Sequence, residues 1–526
     1  MMHEAGSDLT ITQVLAYAVK QYGGRTAVID KDKTFSFQDL DRLSHRLAAQ
    51  LYEMGIRKKD VVAVQLPNGW PYIIAHLAIA RLGAIFLPLN LTYRQKELKF
   101  MFNHSETKAV IVIDEWKGFH HAAMMMELKA VAPSLEHVIT YGEKRAEGDL
   151  SFEELVNQEP VQSTWVEEPP QLDDVVTVMF TSGTESDPKA VLHTYRTFIP
   201  IHLLSANEYG ITQDEVILSL TPISHMFAFP VITSGIYNGA KQVMLDAYTP
   251  EKVMQLLEEY GVTFLIAAPA QMLDILSLVR TQEKVSTSLR MVLTGGSKIP
   301  AKMVEEFRER FNCVVGAQWG MTEVGAGTFT RPNDPPHYAV ETVGRANPVG
   351  EVAIIGEDGE KLPPGEEGEI AYRGKSLFIE YYKNPKATEE SRTRDGYFLT
   401  GDLGWIDEQG YVHFSGRKKD IINRGGLKVH AAEVEEALLM HPNIRQAAVI
   451  SVPDERLGEK GKAIVSLRTD APFTLEDMVK FLTDMGMAKY KMPEYLEVWE
   501  ELPTTPSGKV RKGELRKAVD SRTNPA

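Results

Sequence analysis

The 526-residue chain has one cysteine, Cys313. A single thiol excludes an internal disulfide and any Cys-X-X-Cys metal or redox site, and it suits a reducing compartment, so a cytoplasmic location is expected. The first 30 residues lack a basic start followed by an apolar run, which argues against a signal peptide. Long apolar runs are missing as well. The most apolar window, Ile73 to Leu91, is interrupted by His76, Arg81 and Pro88, and it reads as a buried helix and strand, so no integral membrane segment is expected. There is no evident internal repeat or low-complexity stretch. Positive charge is in deficit, with 57 Lys and Arg against 72 Asp and Glu and a formal net charge of −15. That balance argues against a nucleic-acid partner. The deficit is uneven. From Arg417 onward 19 basic residues face 17 acidic ones, so this piece carries +2 and the preceding residues −17. A near-neutral piece beside an acidic body suits a lid that meets phosphates, and equally an incidental difference between surfaces.

The length calls for two or more domains. Short apolar runs, among them Val61 to Leu66, Ala109 to Ile113, Val175 to Phe180, Val216 to Leu220, Thr263 to Ala267 and Met291 to Leu293, alternate with amphipathic segments such as Asp39 to Met54, Pro250 to Tyr260 and Ala301 to Phe311. This alternation predicts α/β layers with largely parallel sheets. After Gly344 the pattern becomes short strands and turns, which predicts a small β subdomain. A third texture follows Gly416: a hairpin candidate, a helix near Ala432 to Met440, a strand at Ala447 to Val452 and a helix from Leu475. We therefore expect a large N-terminal domain over 1–416 and a smaller α+β lid domain over 417–526, with the boundary at Gly416 to Asp420.

The most informative segment is Phe180-Thr181-Ser182-Gly183-Thr184-Glu185-Ser186-Asp187-Pro188-Lys189. An apolar strand runs into hydroxyls, a glycine and one lysine, a composition that suits a polyphosphate. It is not a P-loop, because Pro188 stands where that pattern needs its second glycine. Taken alone, such a loop is more often a plain turn. Further motifs follow in order: Leu293-Thr294-Gly295-Gly296-Ser297, Gln318-Trp319-Gly320-Met321-Thr322-Glu323, Thr400-Gly401-Asp402, Gly416-Arg417-Lys418-Lys419-Asp420 and Pro506-Ser507-Gly508-Lys509. An aromatic ring can stack on a purine, and a carboxylate can hold Mg²⁺ or accept ribose hydroxyls. A strand end with a solvated glutamate is the plainer reading of the second motif. The first lacks the final glycine of a nucleophile elbow, which disfavours a serine hydrolase.

Together these motifs make the chain resemble the adenylate-forming superfamily of acyl-CoA synthetases, adenylation domains and luciferases, from about Thr10 to Lys517. The resemblance is closest to carboxylic acid–CoA ligases of the cyclohexanecarboxylate, benzoate and fatty-acid type. It implies ATP, Mg²⁺ and CoA as cofactor and co-substrates. It implies a catalytic set of Lys509, Thr184 and Glu323, with Glu323 on the metal. Nucleotide contacts are implied at Thr181, Ser182, Gly183, Thr184, Lys189, Gly295, Gly296, Ser297, Gln318, Trp319, Gly320, Thr322, Asp402, Arg417 and Lys509. Lys419 takes the position of the hinge. His225, Phe227 and Val324 border the acyl pocket, and Gly425 and Gly426 the pantetheine tunnel. The expected assembly is a monomer or a homodimer.

The chain departs from the family pattern at Glu185, Ser186 and Ala190, where Thr, Gly and Gly are usual, at Trp319, where Tyr is usual, and at His430, where proline is frequent. Fewer glycines stiffen the phosphate loop, and Glu185 sets a negative charge near a polyanion. The expected function is ATP-dependent activation of a small carboxylic acid to acyl-AMP, then transfer to CoA. The alternatives are transfer to a carrier-protein thiol, or a catalytically weak acyl or nucleotide binder.

Overall fold

The computed structural model describes residues 8–143, 150–159, 168–181, 188–296, 299–505 and 509–523, with side chains to residue 519. Two large sheets form the body. One runs, in spatial order, through Arg345–Ala346, Gly325–Phe329, Val314–Met321, Met291–Gly295, Phe264–Ile266, Val216–Ser219, Lys241–Val243, Thr26–Asp30 and Lys33–Ser36. Its middle strands are parallel and its edges antiparallel. The other runs from Glu380–Tyr381 through Ala190–Thr194, Val175–Phe180, Ile85–Pro88, Val61–Gln65 and Thr107–Ile113 to His137–Tyr141 and Leu150–Ser151. The α/β layering expected from the alternation of runs is what is observed.

Between the sheets lies the helix Trp70–Arg81, buried on every side from Trp70 to Ala80. That explains its sequence: with no solvent face it needs no amphipathic stripe, and Ile73, Ile74 and Leu77 each contribute roughly 1.5–3 kcal/mol by burial. The helix Phe37–Glu53 begins two residues earlier than its periodicity suggests. The Ser36 hydroxyl accepts from Asp39 N–H at 3.1 Å, and Asp39 accepts from Ser36 N–H at 3.0 Å, a reciprocal cap that fixes the start.

A four-stranded antiparallel sheet follows: Gly350–Ile355, Gly368–Gly374, Phe398–Ile406 and Val412–Arg417. Thr400-Gly401-Asp402 belongs to this sheet. It sits inside the strand Phe398–Ile406, where a positive φ of 72° at Gly401 and a register shift beside Leu403 re-aim Asp402. Beyond Arg417 a short turn, Lys418–Asp420, leads into a separate sheet built from Ile421–Arg424, Leu427–His430, Ile444–Asp454, Gly458–Leu467 and Tyr495–Val498, packed by the helices Ala431–Leu439, Leu475–Asp484 and Lys512–Thr523.

One partly buried ion pair ties this last piece together. Lys512 Nζ lies 2.6 Å from Glu435 Oε1, and Val449 N–H donates to the same oxygen at 2.6 Å. The contact joins two helices to a strand. Lys512→Met should leave the partly buried carboxylate beside one N–H and cost about 1–2 kcal/mol. Urea unfolding with hydrogen exchange at Ala431–Leu439 measures it, and the Glu435→Leu, Lys512→Met double variant should recover most of the loss. An unchanged unfolding midpoint in the single variant would show that the pair stabilises nothing.

Candidate active site

Two strands bring the nucleotide motifs together. Val314–Met321 runs parallel to Met291–Gly295, with Gly295 opposite Gln318. A Cβ at Gly295 would clash with the Gln318 carbonyl oxygen, so the neighbouring strand by itself requires this glycine. Gly320 is constrained in the same way by Gly325. Gly296 has φ 79° and open space around it, and it lines the main cavity. The Gln318–Met321 segment belongs to the strand itself, and Glu323 lies in the turn that reverses the chain into Gly325–Phe329.

Glu323 is not solvated. It is 8% exposed, and Tyr381 donates its hydroxyl to Oε1 at 2.9 Å. Lys189 Nζ rests 4.5 Å above the Tyr381 ring. Burial pushes the Glu323 carboxyl pKa up, while Tyr381 and the Lys189 and Arg417 charges hold it back. The turn is fastened from behind by His193, whose Nε2–H donates to the Thr322 carbonyl at 2.7 Å. Burial lowers the His193 pKa to about 4, so the ring is neutral. Nothing in the motifs pointed to His193; its sole trace is a polar residue in the wholly buried strand Ala190–Thr194.

Asp402 is 4% exposed and lies directly across its sheet from Arg417, with Arg417 Nε 3.1 Å from Oδ1. The Trp319 indole N–H donates to Oδ2 at 2.8 Å. Trp319 is therefore anchored at its edge, packed on Ile354, Ile370 and Val412, and it presents only 6% of its surface.

Lys509 enters this neighbourhood from the C-terminal piece. Its backbone is pinned by Thr505, whose hydroxyl accepts from Lys509 N–H at 3.1 Å and whose N–H donates to the Lys509 carbonyl at 2.6 Å. Burial and then the Arg417 charge lower the Lys509 pKa to about 8, partly offset by Asp402 and Asp420. Gln318, Trp319, Gly320, Asp402, Arg417 and Lys509 line one cavity of about 310 Å³. Asp420, Glu435 and Lys512 line it as well. The motifs gave no sign of Glu435 and Lys512, because their pairing joins residues far apart in the chain.

A second, narrow cavity of about 30 Å³ adjoins the first and shares Gln318 with it. Phe227 lines it. His225 is exposed and lines neither cavity, with its Nδ1 accepting from Phe227 N–H at 3.2 Å. Val324 lines neither cavity. It is wholly buried with Val191, Tyr372 and Phe378, which corrects its expected place at the acyl pocket. Gly425 and Gly426 form the two-residue turn between Ile421–Arg424 and Leu427–His430, with φ 59° and 88°, a turn that favours glycine at both positions. They do not line the main cavity in this arrangement. Lys419 sits in the turn Lys418–Asp420. Thr181 borders the phosphate loop, its N–H bonded to the Lys189 carbonyl at 2.9 Å. Ser182, Gly183, Thr184, Glu185, Ser186 and Ser297 lie outside the described residues.

A carboxylate paired with a guanidinium, an indole and a lysine from the C-terminal piece in one cavity can hold a nucleotide and stabilise charge at its phosphates. Comparison with known proteins gives the same picture. Residues 15–382 match the AMP-binding enzyme family and residues 433–509 the AMP-binding enzyme C-terminal domain. A medium-chain fatty-acid–CoA ligase of Escherichia coli (strain K12) is 32% identical over 94% of this chain and 88% of its own length. The 2,3-dihydroxybenzoate-AMP ligase of Bacillus subtilis (strain 168) is 31% identical over 98% and 94%. The crystal structure of the anthranilate CoA ligase AuaEII with anthranoyl-AMP superposes with a TM-score of 0.90 at 23% identity, over 99% of this chain and 100% of that one, and shares its fold. The chain belongs to the AMP-binding enzymes, the adenylate-forming superfamily.

Proposed function

We propose that this chain is an ATP-dependent carboxylic acid–CoA ligase. The observation that carries the reading is Lys509: a lysine from the C-terminal piece reaches the same cavity as Asp402, Arg417 and Trp319. In the first step a carboxylate oxygen of the acid attacks the α-phosphorus of ATP, and the bond to pyrophosphate breaks. Asp402 and Arg417 hold the ribose, and the Trp319 face meets the purine. Lys189 and the hydroxyl loop Thr181 to Thr184 hold the outer phosphates. Lys509 bridges the carboxylate and the α-phosphate, where its charge counts for more than in water. One buried carboxylate facing a polyphosphate fits a Mg²⁺ ion, which takes one or two carboxylates plus phosphate oxygens; Glu323 would hold it, and the ion would neutralise developing phosphate charge. The acid body enters the narrow cavity behind Phe227.

In the second step the thiol sulfur of CoA attacks the acyl carbon and AMP leaves with the bonding pair. Gly425 and Gly426 stand away from the cavity, so rotation of 417–526 about Lys419 brings their hairpin in for this step. ATP–pyrophosphate exchange across a panel of acids tests the first step. Thioester formation with CoA, set against a carrier protein, tests the second. A chain that exchanges with no acid would be a binder and not a ligase.

Lys509→Ala should cripple acyl-AMP formation and spare thioester formation from supplied acyl-AMP in single-turnover assays. Equal loss in both steps would remove Lys509 as an adenylation residue. The pH dependence follows from its lowered pKa. The ammonium is the working form and is lost as pH rises through about 8, so kcat/KM for ATP should fall on the alkaline side with an apparent pKa near 8. Lys509→Arg should move that limb out of range. Lys419→Pro fixes φ at the pivot, so exchange should persist while CoA transfer slows; unchanged transfer would remove Lys419 as the hinge.

A further inference from the structure

The narrow cavity behind Phe227 has an unusual wall. Ile201, Val231, Phe264, Ile266 and Leu293 make most of it apolar. Among its described lining residues there is no Asp, Glu, Lys or Arg. Three of the polar ones are already committed. Tyr209 donates its hydroxyl to Gln318 Oε1 at 3.2 Å, Ser205 donates to the His202 carbonyl at 3.3 Å, and Ser234 donates to the Val231 carbonyl at 3.4 Å. Gln318 accepts from Tyr209, is only partly buried and lines the main cavity as well, so His202 is the wholly buried exception. It is 1% exposed, it lines the cavity, and neither ring nitrogen has a hydrogen-bond partner among the described residues.

Leaving a buried donor and acceptor unpaired costs about 1–3 kcal/mol each. His76 is a useful contrast. It too is buried without partners, but it does not line the cavity, and rings of Phe86 and Phe229 flank it at 4.7 and 4.8 Å. It is a packed core histidine. His202 packs on Phe198 at 4.4 Å and keeps the cavity beside it. Burial lowers the His202 pKa to about 3, so at neutral pH the ring offers one donor and one acceptor and no charge.

We propose that His202 hydrogen-bonds an uncharged polar group, a hydroxyl or a ketone oxygen, carried by the acid away from its reacting carboxylate. This rests on the ligase reading above and narrows its substrate class to hydroxy- or oxo-substituted monocarboxylic acids with an otherwise apolar body. The same wall rejects dicarboxylic acids, because a second carboxylate would be desolvated with no cation to meet it.

The test is a matched panel: aliphatic and aromatic monocarboxylic acids with and without one hydroxyl or keto group, and dicarboxylic acids of equal length. Exchange kinetics and calorimetric binding are measured for both wild type and variants. Wild type should favour some substituted acid over its unsubstituted match by on the order of tenfold in kcat/KM, the worth of one buried hydrogen bond. His202→Leu should abolish that preference by weakening the substituted acid while leaving its match unchanged or improved. His202→Asn should retain part of it, and His76→Phe should retain all of it. No preference in wild type would overturn the proposal and leave His202 to a buried water; so would a preference that survives His202→Leu, or dicarboxylic acids as the best substrates. If no acid supports exchange, the ligase reading fails. The binding arm then decides the pocket separately, because it needs no turnover: equal affinity for substituted and unsubstituted acids would overturn the role of His202.

Discussion

Asp402 is where two parts of the chain meet on one carboxylate, with a third reaching the same cavity. The indole of Trp319 comes from the nine-stranded sheet, the guanidinium of Arg417 from the last strand of the small sheet, and Lys509 from beyond the turn at Lys418–Asp420. At 4% exposure, the carboxylate is met by the Trp319 indole N–H on one oxygen and the Arg417 guanidinium on the other. Its position then sets the others. Arg417 is directly opposite on the adjacent strand, so the residue just before the turn is fixed to the body while those after it are free to belong to another piece.

Charge in the cavity is arranged for use and not for rest. Burial penalises the Lys509 charge and repulsion from Arg417 adds to it, which is why the lysine is easier to deprotonate than a surface lysine. Arrival of a polyphosphate relieves both effects at once. Glu323 has the opposite problem, a carboxylate lifted by burial and restrained by Tyr381 and Lys189. Each group is held in a state that a triphosphate with its metal would stabilise. That is the electrostatic form of a preorganised site.

The sequence made the architecture legible wherever a local pattern was long. The strands at Val175–Phe180 and Val216–Ser219 and the helices at Pro250–Tyr260 and Ala301–Phe311 fall where the periodicity puts them. Glu323, Asp402, Arg417 and Lys509 were readable because each sits in a short motif with a resemblance behind it. His193 was not, because its function is a hydrogen bond to a carbonyl 129 residues away. Val324 was misplaced for a related reason: it follows a motif residue, yet the turn at Thr322–Val324 swings it into the core. The lack of a side chain at Gly295 also answers to a neighbouring strand that a linear text does not show. Pairings of this kind exist only once the sheets are assembled.

The edge anchoring of Trp319 has a spectroscopic consequence. Under the function proposed above, its N–H and the hydroxyls of a ribose would draw on the same carboxylate, so filling the site would redistribute the hydrogen bonds of one indole. Indole emission depends on that bond and on the polarity around the ring. The residue that departs from the family's usual tyrosine thus gives this chain a fluorophore at its nucleotide site, one that registers occupancy without a label and before any bond is made.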